Sequence, residues 1–139
     1  MAKLTNGKFM IMDVVRGQWG TDQRERNMRS VAEVDQLKVR IGIEQEGGSG
    51  GKESVQASIL NLAGFSVVAD RPTGDKIYRA DPLSVQINNG NVILLQGAWN
   101  KAFLDELEMF PNSTYKDQVD ACSGAFAMLT KKKVARVIR

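Results

Sequence analysis

The sequence of 139 residues contains no histidine and one cysteine. Without histidine there is no ordinary general base near neutral pH, no usual zinc ligand, and no Ser/His or Cys/His nucleophile pair. The single Cys122 excludes an internal disulfide and a cysteine-rich zinc site; set among Ala121, Ser123 and Ala125, it reads as a small core residue. Long apolar runs are also missing. The best of them, residues 92–95, is bounded by Asn91 and Gln96 and falls far short of the roughly 20 residues a membrane helix needs, so no membrane span is expected. The opening Met-Ala-Lys-Leu-Thr-Asn-Gly lacks the apolar stretch of a secretory signal, which makes the cytoplasm the expected compartment. Any chemistry therefore falls to carboxylates.

What is present is ordinary globular material. A hydrophobic fraction of 42% and a charged fraction of 25% fit a folded domain with a real core rather than a disordered or fibrous chain. We assign residues 1–130 to one domain and residues 131–139, with Lys131, Lys132, Lys133, Arg136 and Arg139, to a basic tail. The net charge of +3 is compatible with a polyanionic partner without demanding one.

Along the chain, the β-favouring run at residues 9–15 follows Thr5-Asn6-Gly7, a hairpin signal that makes residues 1–4 the tail of an earlier strand. A charged, surface-lying helix is expected from Thr21 or Asp22 to about Lys38. Residues 39–44 alternate, with Val39, Ile41 and Ile43 apolar, which places Glu44 at the carboxyl end of a strand. The glycine run at 47–51 then breaks the chain before a helix over about 52–63, closed by Gly64 and followed by a short strand at 65–69. Strand, helix, strand in this order predicts a parallel crossover. Residues 76–87 read as a helix interrupted or restarted near Pro82, and Asn88-Asn89-Gly90-Asn91 as a turn before a strand at 92–95. Two amphipathic helices close the domain. One spans residues 99–109 with Trp99, Phe103, Leu104 and Leu107 on one side, and the other about 116–129. Strands mixed with helices predict a layered α/β domain, with any site at the carboxyl ends of parallel strands.

Two constellations could carry chemistry. The glycine run followed by Lys52 invites a phosphate-loop reading, but Glu46 stands where that motif wants glycine and Glu53 where it wants a hydroxyl. A flexible connection near Glu44 is the better account. Asp117 and Asp120, three residues apart, fall about 60° apart on a helical wheel, opposite Val119, Cys122, Phe126 and Leu129. Their side continues into Ala121 and Gly124, small residues that would let the helix lie close to a sheet. Acids packed this way repel one another, and a cation is the natural compensation. With Glu44 added, an all-oxygen set would suit hard Mg²⁺ or Mn²⁺, two ions about 3.5–4 Å apart serving phosphodiester hydrolysis.

Asp13-Val14-Val15-Arg16-Gly17-Gln18, Ile43-Glu44-Gln45-Glu46 with its glycine loop and Lys52, Asp75-Lys76 with Arg79-Ala80-Asp81-Pro82, and Phe110-Pro111 before Asp117-Gln118-Val119-Asp120-Ala121 occur in that order. The ordered set resembles the C-terminal nuclease domain of phage terminase large subunits across nearly the whole chain. That resemblance implies an RNase H-like fold, a mixed sheet flanked by helices. It also implies a three-acid, divalent-metal endonuclease that cuts concatemeric double-stranded DNA. Glu44 matches the family's second acid and is assigned, with Asp117 and Asp120, as both catalytic and metal-binding. Lys116 stands where the family often has histidine. The family's first acid lies on an opening strand before the hairpin, and this sequence begins after that position. An N-terminally truncated domain is expected, with unpaired strand edges favouring dimerisation or low stability. Asp13 matches a different family position and reads as an end-of-strand polar residue.

By the same resemblance Lys76, Arg79 and Arg71 are candidates for DNA phosphate contact. Trp19 is a candidate for base stacking, and Trp99 reads as core. The implied partners are double-stranded DNA, a terminase ATPase domain, the small terminase subunit and the portal or procapsid. The competing expectation is a fragment without catalysis that only binds DNA or a packaging partner.

Overall fold

The computed structural model describes residues 1–71 and 73–131; the basic tail beyond Lys131 lies outside the described residues. In chain order the elements are β1 (Ala2–Lys3), β2 (Phe9–Ile11), α1 (Thr21–Asp35), β3 (Arg40–Glu44), α2 (Ser49–Asn61), β4 (Ser66–Asp70), α3 (Lys76–Asn88), β5 (Val92–Leu94), α4 (Asn100–Met109) and α5 (Asp117–Thr130). They fall into two compact units. The first combines Met1–Val15 with the chain from Asp75 onward, and the second is Arg16–Gly74.

The first unit holds a three-stranded mixed sheet in the order β1-β2-β5, antiparallel between β1 and β2 and parallel between β2 and β5. The predicted Asn-Gly turn makes the β1–β2 connection. Gly7 takes a positive φ of 84°, a conformation open to glycine at little cost, and the Asn6 side chain accepts the Lys8 amide at 3.0 Å. Only Phe9–Ile11 of the expected run at 9–15 enters the sheet, because β5 offers partners no further than the Leu95 amide, which donates to the Ile11 carbonyl. Phe9 and Ile11 of β2, Leu83 of α3, Phe103 of α4, and Cys122 and Phe126 of α5 form the core, with Trp99 packed against it. Phe9 meets Phe126 edge to face at 4.8 Å, an arrangement the ring quadrupoles favour. Burial pushes the Cys122 thiol up to about 12, so it remains an inert, protonated core group.

Pro82 does not interrupt α3, which runs unbroken from Lys76 to Asn88. The proline deprives the Tyr78 carbonyl of its intrahelical donor, but Tyr78 and Pro82 both lie on the exposed side of the helix, where water can serve instead. Ala80 and Leu83 occupy the buried side.

In the second unit β3 and β4 pair in parallel with α2 between them, the predicted crossover. The helix α2 starts at Ser49, inside the glycine run, three residues earlier than the sequence suggested. Close approach of backbone makes this possible: a Cβ at Gly51 would run into the Glu46 carbonyl. The helix α1 is as exposed as its charge density implied, with Ala32 its one buried residue. It ends at Asp35, short of Lys38, where Gln36 turns to a positive φ of 62°.

Polar contacts join α1 to α2. Ser58 donates to Glu25 Oε1 at 2.6 Å and the Asn61 amide donates to Glu25 Oε2 at 3.0 Å, while Arg29 donates to the Asn61 carbonyl at 2.7 Å. Burial pulls the Glu25 carboxyl upward, but hydrogen bonds from Ser58, Arg24 and Asn61 together outweigh it and leave the group below the ordinary glutamate value of 4.5. A carboxyl depressed in this way contributes stability that is complete above its unfolded-state value and is lost as pH falls through its lower folded-state value. Glu25→Gln should therefore be less stable than the parent above about pH 5 and lose less stability on acidification from there. Urea melts of both proteins across that range check this, and parallel pH profiles would contradict it.

Candidate active site

Asp120 is a buried acid of the first unit, and its environment follows from the way α3 and α5 start. Asp75 caps α3: its backbone is extended and its side chain accepts the Ile77 amide at 3.1 Å, satisfying one of the donors a helix start leaves open. That start places Lys76 and Arg79 three residues apart, on neighbouring positions of the helix surface. Both reach Asp120. Lys76 Nζ stands 2.9 Å from Asp120 Oδ2, and Arg79 Nη2 spans both oxygens, at 2.8 Å from Oδ1 and 3.1 Å from Oδ2. The Asp120 side chain is 6% exposed and Arg79 20%, so this is a largely desolvated pair. Breaking it would strand a buried charge.

Asp117, one turn earlier, is different. Its side chain is 85% exposed, and Lys76 Nζ stands 3.8 Å from its Oδ1. The two acids share an azimuth, as their spacing predicts, but one is sunk under α3 and the other is open to water. A single ammonium nevertheless approaches both, with two protein cations facing two carboxylates. Ala121 and Gly124 do not bring α5 against a sheet, as the sequence had suggested; both are exposed. The face that carries Val119, Cys122 and Phe126 lies in the core, and Ser123 with Asp120 lies on the buried flank, which turns the small residues outward.

A further acid, unread in the sequence, holds α5 in place. Glu106 of α4 is 7% exposed, and its Oε1 accepts the backbone amides of Gln118 at 2.8 Å and Val119 at 3.0 Å. Its Oε2 accepts the Gln118 side chain at 2.6 Å. This is a helix cap supplied by another helix: two first-turn donors are satisfied, and a negative group sits at the positive end of the helix dipole. Leu104, expected on the inner side of α4, is 45% exposed. The signal was an acid spaced with Phe103 and Leu107 on the apolar side, which periodicity alone treats as an interruption.

In the second unit, Glu44 ends β3 on the exposed face, alternating with the half-buried Ile41 and Ile43. The parallel register sets it beside Asp70, the last residue of β4, so two acids end adjacent strands. Asp70 was not singled out in the sequence, because the β4 run was bounded at residue 69. Arg71 follows directly and is exposed. Trp19 is 38% exposed. In the first unit Asp13 accepts the Val14 amide at 2.8 Å, an ordinary end-of-strand contact. Lys116 is the backbone N-cap of α5 and makes no side-chain cap bond. Among the described residues no three acidic, histidine or cysteine side chains gather as a metal-binding group, and no helix is long and apolar enough to cross a membrane.

A family model described as a terminase RNaseH-like domain matches residues 4–129. No curated protein and no solved structure matches the chain.

The α5 anchor has a measurable consequence. Glu106→Ala would leave the Gln118 and Val119 backbone amides buried without their acceptor, while the Gln118 side chain keeps the Ala102 carbonyl at 3.3 Å, and each unsatisfied amide costs about 1–3 kcal/mol. The urea midpoint of Glu106→Ala should fall by an amount equivalent to at least about 2 kcal/mol, and that of Glu106→Gln, which keeps one carbonyl acceptor, by less. An unchanged midpoint for the alanine variant would show that the cap does not hold the helix.

Proposed function

The chain belongs to the family of terminase RNaseH-like domains, and on that premise we propose that it is the metal-dependent endonuclease of a phage DNA-packaging terminase large subunit. Its substrate in this reading is concatemeric double-stranded DNA, cut in the host cytoplasm during assembly. The observation that carries the proposal is Asp120: a buried carboxylate at the start of α5 that draws two cations onto itself, with Asp117 within reach of one of them.

The donor chemistry fits divalent metal. The Lys76 ammonium stands between Asp117 and Asp120, so these two side chains already accommodate one cation together. In a chain without histidine, an all-carboxylate set favours Mg²⁺ or Mn²⁺ over zinc. Asp117 and Asp120 are the acids of the first unit that would hold an ion, and Glu44 is the strand-end acid of the second. Two such ions supply water activation and stabilisation of the departing oxygen in phosphodiester hydrolysis.

The protein's own part is positioning. Arg79 fixes the Asp120 carboxylate through both oxygens, the Glu106 cap fixes the turn of α5 that carries it, and Asp75 fixes the turn of α3 that delivers Arg79 and Lys76. Arg79, expected on DNA phosphate, makes its ion pair within the protein, while the exposed Arg71 and the half-exposed Lys76 are the better placed phosphate contacts. The ATPase domain, small subunit and portal or procapsid are the partners such an enzyme would meet. The competing reading is DNA or partner binding without cutting.

A supercoiled-plasmid nicking assay with Mn²⁺ distinguishes the two. Cutting should be seen with the parent chain and fall to the level of the metal-free control in Asp120→Asn and Glu44→Gln. Retained DNA binding with no cutting by the parent would favour the binding-only reading.

A further inference from the structure

Asp120 has two cationic partners, and they are not equivalent. Arg79 is one-fifth exposed, touches both carboxylate oxygens and projects from the part of α3 whose Ala80 and Leu83 are buried. Lys76 is the first residue of α3, its side chain is 42% exposed, and its Nζ stands 2.9 Å from Asp120 Oδ2 and 3.8 Å from Asp117 Oδ1. A planar guanidinium held by packing is a fixed partner, whereas an ammonium on a flexible four-carbon stem is an exchangeable point charge. A partly exposed contact of that kind is cheap to break.

We propose that Lys76 is a tethered cation that occupies the bridging position between Asp117 and Asp120 and must leave before a divalent ion enters, so that this residue sets the ion affinity of the site. The inference rests on the assignment of Asp120 as a metal ligand. Its physical content is competition. Oδ2 of Asp120 cannot give the same lone pair to an ammonium and to an ion, and a second positive charge between the two acids would repel the incoming one. Arg79 keeps the carboxylate paired when Lys76 departs, which makes the exchange possible without stranding a buried charge.

The test is Mn²⁺ binding to the whole chain without DNA, by calorimetry at fixed ionic strength. Lys76→Met should bind Mn²⁺ roughly twofold to fivefold more tightly than the parent, Lys76→Arg should not, and Asp120→Asn should lose the binding. If Asp120→Asn loses binding while Lys76→Met is unchanged or weaker, the competition is refuted and the metal-ligand assignment stands. Mn²⁺ affinity unaltered in Asp120→Asn would overturn both. An independent readout uses the unaltered protein: reductive methylation followed by peptide mass analysis should label Lys76 faster when Mn²⁺ is saturating. Labelling that does not change while Mn²⁺ binds would also refute the exchange.

Discussion

The first turn of α5 is buried at Gln118, Val119 and Asp120, and everything proposed about the site depends on how that burial is made tolerable. A helix start exposes amide donors that need acceptors, and this one also carries a carboxylate that needs positive charge. Two neighbouring helices meet the two demands separately. Glu106 of α4 gives its oxygens to the Gln118 and Val119 amides, and Lys76 and Arg79 of α3 give their positive charge to Asp120. The core residues Phe103 and Leu83 sit on the same two helices, so apolar packing and polar satisfaction reinforce one geometry. Moving either helix would strand a buried polar group as well as open the core.

Much of the fold could be read from local signals that are physically autonomous. The Asn6-Gly7 pair makes its turn because only the local backbone is involved. The strand-helix-strand order forced a parallel pairing of β3 and β4, which the register confirms. Where a boundary depends on a distant partner, the sequence was less informative. The strand β2 stops at Ile11 because β5 stops, and α2 begins within the glycines because Gly51 lets the Glu46 carbonyl approach. Neither limit is written in the residues concerned.

The candidate site divides in the same way. Alternation placed Glu44 at a strand end, and spacing placed Asp117 and Asp120 on one side of a helix. A helical wheel, however, gives an angle and not a neighbour. It could not say that α3 would cover Asp120 and leave Asp117 in water, nor that Ala121 and Gly124 would face outward. Glu106 was missed for the same reason. An acid between Phe103 and Leu107 interrupts an apolar pattern in one dimension, and it becomes intelligible only when the amides of another helix arrive at it. Lys76 and Arg79 were read by charge as groups for an external anion, and in the structure they form ion pairs with internal ones.

That reversal follows from the composition noted at the outset. A site with histidine ligands can rest neutral before its metal arrives, because imidazole is uncharged when unprotonated. A site made of carboxylates has no neutral resting form near neutral pH, and burying such a group without its metal leaves an uncompensated charge. The buried Asp120 accordingly draws its positive charge from the protein itself. Arginine and lysine can both do so, but they differ in what happens next: the guanidinium is a rigid fork that stays, and the ammonium is a point charge on a flexible stem. Having one of each on Asp120 gives a buried carboxylate compensated by the protein's own charge, with the arginine contacting both of its oxygens. The burial of Asp120 thus accounts for the presence of Lys76 and Arg79 beside it.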